Sequence, residues 1–159
     1  MKKLLFAAVV ALLFPVFSLA DGAQASNSAR KGEDMKIKIE IQSESGKHTL
    51  FATLSDNSSA AAFYKLLESG ELKLKMKDYA SFEKVGRLPS ELPRNDEQIT
   101  TSAGDIILYQ GNQITIYYDT NLWSFTRLGK IDDIDEKQLK AILGKGSITA
   151  IFSKEVKAK

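Results

Sequence analysis

Cysteine is absent from the 159 residues, histidine occurs once and proline three times. Without a thiol there is no disulfide, no cysteine nucleophile, no zinc-cysteine site and no lipid-modified cysteine at a processing site. With His48 as the sole imidazole, a Ser-His-Asp triad or a multi-histidine metal site would have to rest on that residue alone. At a strand start beside Lys47, His48 reads as a surface residue. Charge of one sign is also lacking. Setting aside Lys2 and Lys3, which lie in an expected leader, 20 basic residues face 20 acidic ones, so nothing electrostatic favours nucleic acid. No internal repeat is present, and beyond residue 20 no apolar run approaches 18 residues, so no transmembrane span is expected there.

What is present begins with an address. Met1-Lys2-Lys3, the apolar run from Leu4 to Phe14, Pro15 and the small-residue end Ser18-Leu19-Ala20 have the order of a secretory signal peptide. Ala23-Gln24-Ala25 offers a second acceptable site. Export to the periplasm or the outside of the cell is the expectation. Residues 21–34 are small and polar without periodicity and read as a flexible tether.

The pattern then changes to a period of two. Met35, Ile37, Ile39 and Ile41 alternate with polar residues, Ser43 to Gly46 supply a turn, and His48 to Leu54 return as a second strand. Asp56-Asn57-Ser58-Ser59 offer capping side chains for a helix that ends at Ser69, before Gly70. Leu72, Leu74 and Met76 alternate with Lys73, Lys75 and Lys77 in a one-sided strand. Residues 78–102 hold Pro89 and Pro93 and are expected to form a loop. A second hairpin follows, residues 105–109 and 113–118 around Gln110-Gly111-Asn112, with Ile114, Ile116 and Tyr118 on one side. Residues 123–131 give a further strand, Asp135 with Gln138 starts a helix that Gly144 ends, and residues 147–153 form the last strand before a lysine-rich tail at 154–159.

About seven or eight short strands and two short helices, without strand-helix-strand alternation, predict a mainly β protein. The expected form is a closed or nearly closed barrel of about eight strands with its ends capped by the helices. One domain over residues 35–153 accounts for all of it.

Few constellations carry chemistry. Asp132-Asp133-Ile134-Asp135-Glu136 lacks the alternating ligands and the glycine of a calcium loop, and acids at a helix start serve the cap and the dipole. No metal and no cofactor are expected. Lys36, Lys38, Lys73, Lys75 and Lys77 read as the solvated outer face of the barrel. Asn57-Ser58-Ser59 matches a glycosylation pattern but is explained as capping, and Gly144-Lys145-Gly146-Ser147 lacks the context of a phosphate loop. Tyr109, Tyr117, Tyr118, Trp123 and Phe125 stand out, because aromatic side chains near a barrel surface can hold an apolar or peptide ligand.

The ordered set of the Lys/Ile strand, Phe51-Ala52-Thr53-Leu54, the Asn/Ser-capped helix, Leu88-Pro89 with Leu92-Pro93, Ala103-Gly104-Asp105-Ile106, Tyr117-Tyr118 and Thr126 to Ile131 resembles the bacterial cyclophilin-like family, small cyclophilin-fold proteins. The resemblance spans residues 35–152 and implies the eight-stranded cyclophilin barrel. Some members sit beside or are fused to flavodoxin-like proteins. Cyclophilin isomerases use an arginine, a Phe-Met pair and a glutamine before Gly-Asp. With Gly104-Asp105 set on that Gly-Asp, Arg94 falls at the arginine, while Ile99, Thr100 and Ser102 replace the other three groups. The departures from the isomerase motif point to a binding module without strong catalysis, and with the leader the expectation is an exported module, taken as a monomer. Its groove would lie beside residues 89–102 and 117–127, with Arg94 and Arg127 as charged contacts and Tyr117, Trp123 and Phe125 as apolar contacts for a peptide or small molecule. A weak peptidyl-prolyl isomerase using Arg94 as its candidate catalytic residue and Trp123 to line the pocket, or an accessory partner of an exported redox or envelope protein, are the alternatives.

Overall fold

The computed structural model describes residues 35–156. The expected leader (1–20), the tether (21–34) and the end of the tail (157–159) lie outside the described residues. Nine strands and two helices follow in the order β1 (Lys36–Ser43), β2 (Gly46–Leu54), α1 (Ser58–Leu66), β3 (Leu72–Tyr79), β4 (Glu83–Arg87), β5 (Glu97–Thr100), β6 (Asp105–Tyr109), β7 (Gln113–Tyr117), β8 (Leu122–Ile131), α2 (Glu136–Leu143) and β9 (Ile148–Lys154). A 3₁₀ turn, Leu67–Ser69, extends α1.

Eight strands pair antiparallel in the order β2-β1-β9-β3-β4-β7-β6-β8, and β8 pairs back onto β2. This is a closed eight-stranded barrel. Closure removes the free edges that would otherwise template aggregation. The closing seam is short: Ala52 with Ile131, Thr53 with Lys130 and Leu54 with Gly129. Two bonds extend it, Ser55 N to Leu128 O at 2.9 Å and Asn57 Nδ2 to Arg127 O at 2.8 Å.

The isoleucines of β1, Leu74 and Met76 of β3, Ile114 and Ile116 of β7 and Phe152 of β9 point inward and are buried. Both helices add to this core, α1 through Phe63, which meets Phe152 edge-on at 5.8 Å, and α2 through Leu139 and Leu143. Each covers a different end. The start of β3, where α1 delivers the chain, pairs with the end of β9 (Leu72 with Phe152), and the start of β9, where α2 delivers it, pairs toward the end of β3 (Met76 with Ile148). Asn57 caps α1 by accepting from Ala60 N at 2.8 Å, and Asp135 and Gln138 form a capping box on α2. The capping readings of these motifs therefore hold, and His48 sits in the opening hairpin with its Nε2 3.0 Å from Ser45 Oγ.

Two corrections concern the segment expected to be a loop. Residues 78–102 contain β4 and β5, and β3 continues to Tyr79. The β3–β4 hairpin turns on Ala80 and Ser81, both at positive φ (47° and 60°), a conformation that sequence normally signals with Gly or Asn. In β4 the inward positions are Lys84 and Gly86, neither of them apolar, so no alternation marks the strand. The tail also begins later than expected: Lys154 closes β9, paired with Glu68 at 2.9 Å and 4.0 Å from the Tyr64 ring centroid.

β5 is not a stave. It pairs only with the first half of β8, Glu97 with Phe125 and Ile99 with Trp123, and the second half of β8 then joins the barrel. The resulting two-stranded arm lies against the outside of β6 and β7, where Ile99, Ile107, Tyr117 and Phe125 form a second small core. This explains why Ile106, Ile107 and Leu108 are all fully buried: Ile106 and Leu108 face the barrel interior, and strand alternation turns Ile107 outward, under the arm.

Candidate functional site

The outer face of β3, β4 and β7 on one side and the arm on the other enclose a groove of about 630 Å³. Alternation builds it. On β7 the residues between the inward isoleucines, Thr115 and Tyr117, point out, and on β4 Glu83 and Val85 do the same opposite them, Glu83 pairing with Tyr117 and Val85 with Thr115. Across the arm Trp123 and Phe125 sit two residues apart on one face of β8.

Five rings run in sequence along the groove. Tyr79 meets Phe82 edge-on at 5.9 Å, Phe82 stacks on Tyr117 at 5.9 Å with 8° between planes, Tyr117 tilts against Phe125 at 5.6 Å, and Phe125 meets Tyr109 at 6.0 Å. Such spacings are the favoured offset and edge arrangements of aromatic pairs. Phe125 and Tyr117 are buried, whereas Trp123 and Tyr79 stand on the rim with 58% and 61% of their surface exposed.

Polar groups lie on the floor. Glu83 is 7% exposed and Thr115 2% exposed, and both Glu83 Oε2 and Thr115 Oγ1 are buried without a hydrogen-bond partner. Burial pushes the Glu83 carboxyl above the ordinary glutamate value, and the Tyr117 and Thr115 hydroxyls, close to it but outside good hydrogen-bond geometry, offset only part of the rise. Burial likewise raises the Tyr117 hydroxyl, against a weak contact from Asn121 Nδ2 at 3.4 Å, and the Glu83 charge adds to the rise.

A carboxyl with a raised folded pKa binds its proton more tightly in the native than in the unfolded chain. Its contribution to stability is complete below the ordinary value near 4.5 and is lost as pH rises through the folded value. Glu83→Gln is therefore expected to raise the urea midpoint at pH 8 and to leave it unchanged at pH 4. Equal midpoints at both pH values would contradict the assignment.

Of the residues singled out from sequence, Tyr117, Trp123 and Phe125 line the groove together with Tyr109, while Tyr118 points into the barrel end. The two arginines do not line it. Arg94 pairs with Asp96, its Nε 2.9 Å from Asp96 Oδ2, and its stem packs beside Gly111. Arg127 is held by Asp105, fully buried, which also receives Lys130 at 3.2 Å. The opposite wall is not residues 89–102 but the β3–β4 hairpin, with Tyr79, Phe82 and Glu83. Sequence reasoning missed these three because the hairpin itself was invisible; the one available signal was the Tyr79/Phe82 pair flanking the small Ala80-Ser81 dipeptide. Among the described residues no group of three or more His, Asp or Glu side chains could hold a metal ion. No helix of the described residues is long and apolar enough to cross a membrane.

The model of the Cyclophilin-like family matches residues 43–153, from the end of β1 through β9. The chain belongs to the cyclophilin-like family. Its barrel is also similar to the solution structure of a hypothetical protein from Archaeoglobus fulgidus, with 11% identity and a TM-score of 0.54 over 79% of this chain and 99% of that one. At that identity the likeness concerns the fold alone. No curated protein matches the chain significantly. Within the cyclophilin-like domain, the positions set against the isomerases' Phe-Met pair fall on β5. Ile99 is buried between the arm and the barrel rather than presented to a ligand.

Proposed function

We propose that this cyclophilin-like domain is an exported binding module that holds a peptide or small ligand in the groove between β3–β4–β7 and the arm. The observation that carries the reading is the concave chain of five aromatic rings with Trp123 exposed on its rim, since ligand sites are concave, mainly apolar and equipped with a few fixed polar groups. The leader at residues 1–20 supports export. Binding rather than catalysis is favoured by the arginines: an isomerase needs a cation against the proline-flanking carbonyl, and Arg94 is engaged by Asp96 outside the groove lining.

The test is NMR on the protein with a set of X-Pro peptides, following amide shifts and peptide cis/trans exchange together. Shifts at Glu83, Thr115, Tyr117 and Trp123 without accelerated exchange are expected, and Trp123→Ala should weaken binding about tenfold, as for an aromatic anchor. Accelerated exchange that vanishes in Arg94→Ala would replace the module by an isomerase.

A further inference from the structure

The floor of the groove carries a charge problem that the protein does not solve. Glu83 is more than nine-tenths buried, and among the described residues its Oε2 has no hydrogen-bond partner and no lysine or arginine pairs with it. The other buried acid among the described residues, Asp105, has Arg127 and Lys130, and the more accessible Asp132 and Asp78 have Lys36 and Lys84. The cation nearest along the chain, Lys84, points the opposite way, into the barrel. Lys77 of β3 lines the groove wall but is exposed and forms no ion pair with Glu83.

Aromatic rings line the same groove. Phe82 and Tyr117 stack on one another, and Tyr79, Phe125, Tyr109 and Trp123 complete the lining. The face of an aromatic ring carries negative potential and attracts cations, most strongly where water is excluded, and cages of several rings select alkylated ammonium ions over strongly hydrated ones. A carboxylate at the bottom of such a cage adds the complementary full charge.

Resting on the binding reading above, we propose that the groove takes an organic ammonium group, seated among Tyr79, Phe82 and Trp123 with Glu83 as its counter-ion. The ligand supplies the cation that the fold withholds. The upward shift of the Glu83 carboxyl agrees with this, because burial disfavours its charged form and an arriving cation favours it.

Choline and 3,3-dimethylbutan-1-ol have the same shape and differ in charge, so they serve as the probes. In NMR titrations of the intact protein, choline is expected to bind at least tenfold more tightly than the neutral alcohol, moving the Glu83, Thr115 and Trp123 resonances. In Glu83→Gln that preference should fall below threefold. The comparison of the two probes needs no variant, so it survives if Glu83→Gln fails to fold. Equal binding of both probes would overturn the proposal, because Glu83 would then act as a neutral hydrogen-bonding group. Absence of choline shifts in a protein whose groove responds to X-Pro peptides would overturn the ammonium inference and leave the binding module standing. No response to either class would remove both.

Discussion

Lys84→Ala lowers the unfolding free energy by about 3 kcal/mol, the low end of what breaking a buried ion pair costs. Lys84 is completely buried, and its three ammonium protons meet three acceptors: Asp78 Oδ1 at 2.7 Å, Gly144 O at 2.9 Å and Gly146 O at 2.9 Å. The two carbonyls belong to the end of α2 and the turn after it, where the aligned peptide dipoles leave negative charge that a cation offsets. Tyr118 completes the knot, donating to Asp78 Oδ1 at 2.7 Å while its ring faces the ammonium at 5.6 Å. Removing the ammonium strips a partner from all of these at once. The low end of the range applies because Asp78 still reaches solvent. The measurement is the urea midpoint at unchanged m value; a loss below 1 kcal/mol would mean that water replaces the ammonium without cost.

The same knot fixes the acid limb. Burial alone would raise the Asp78 carboxyl, but the hydrogen bonds from Lys84 and Tyr118 outweigh it and hold the carboxyl below the ordinary aspartate value near 3.8. Stability from Asp78 is therefore present above that value and is lost as pH falls through the lower folded value. In Lys84→Ala the carboxyl loses its cationic partner, so this acid-linked contribution shrinks.

Gly129→Ala costs about 3 kcal/mol, the upper end of overpacking, because the added methyl strikes main chain. A Cβ at Gly129 would stand 2.5 Å from Thr53 O and 2.9 Å from Leu54 Cα, on the three-pair seam where β8 closes onto β2. Neither atom can move without opening that seam. Gly86→Ala is the control: its Cβ would meet Met76 Cγ at 2.9 Å, the stem of a flexible side chain that can shift, and the expected cost is about 1 kcal/mol. Thermal or urea unfolding of the two variants side by side decides the matter. Similar values would show that the seam is slack.

These two positions also show what the sequence could and could not disclose. Strands with one apolar and one lysine-rich face, such as β1 and β3, declare themselves through alternation, and the two helices through their caps. The barrel followed from counting such elements. β4 stayed hidden because its inward residues are an ion-paired lysine and a glycine, and charge at an inward position looks identical to charge on a surface until the partner at Asp78, six residues away, is seen across the hairpin. β5 has a single apolar residue, Ile99, and draws its place from pairing with β8 rather than from its own pattern. For the groove, Tyr117, Trp123 and Phe125 were legible as aromatics spaced on strands. Glu83, Phe82 and Tyr79 were not, since their position depends on the Ala80-Ser81 turn.

β8 serves two structures in turn. Its second half is a stave locked between β6 and β2, and its first half, paired with the four-residue β5 and packed on the barrel through Phe125, is the wall that carries Trp123. Opening the wall would give up the β5 pairing and the Phe125 packing while leaving the seam at Gly129 shut, so the amide protons of Leu122 to Phe125 are expected to exchange on a timescale separate from that of the barrel.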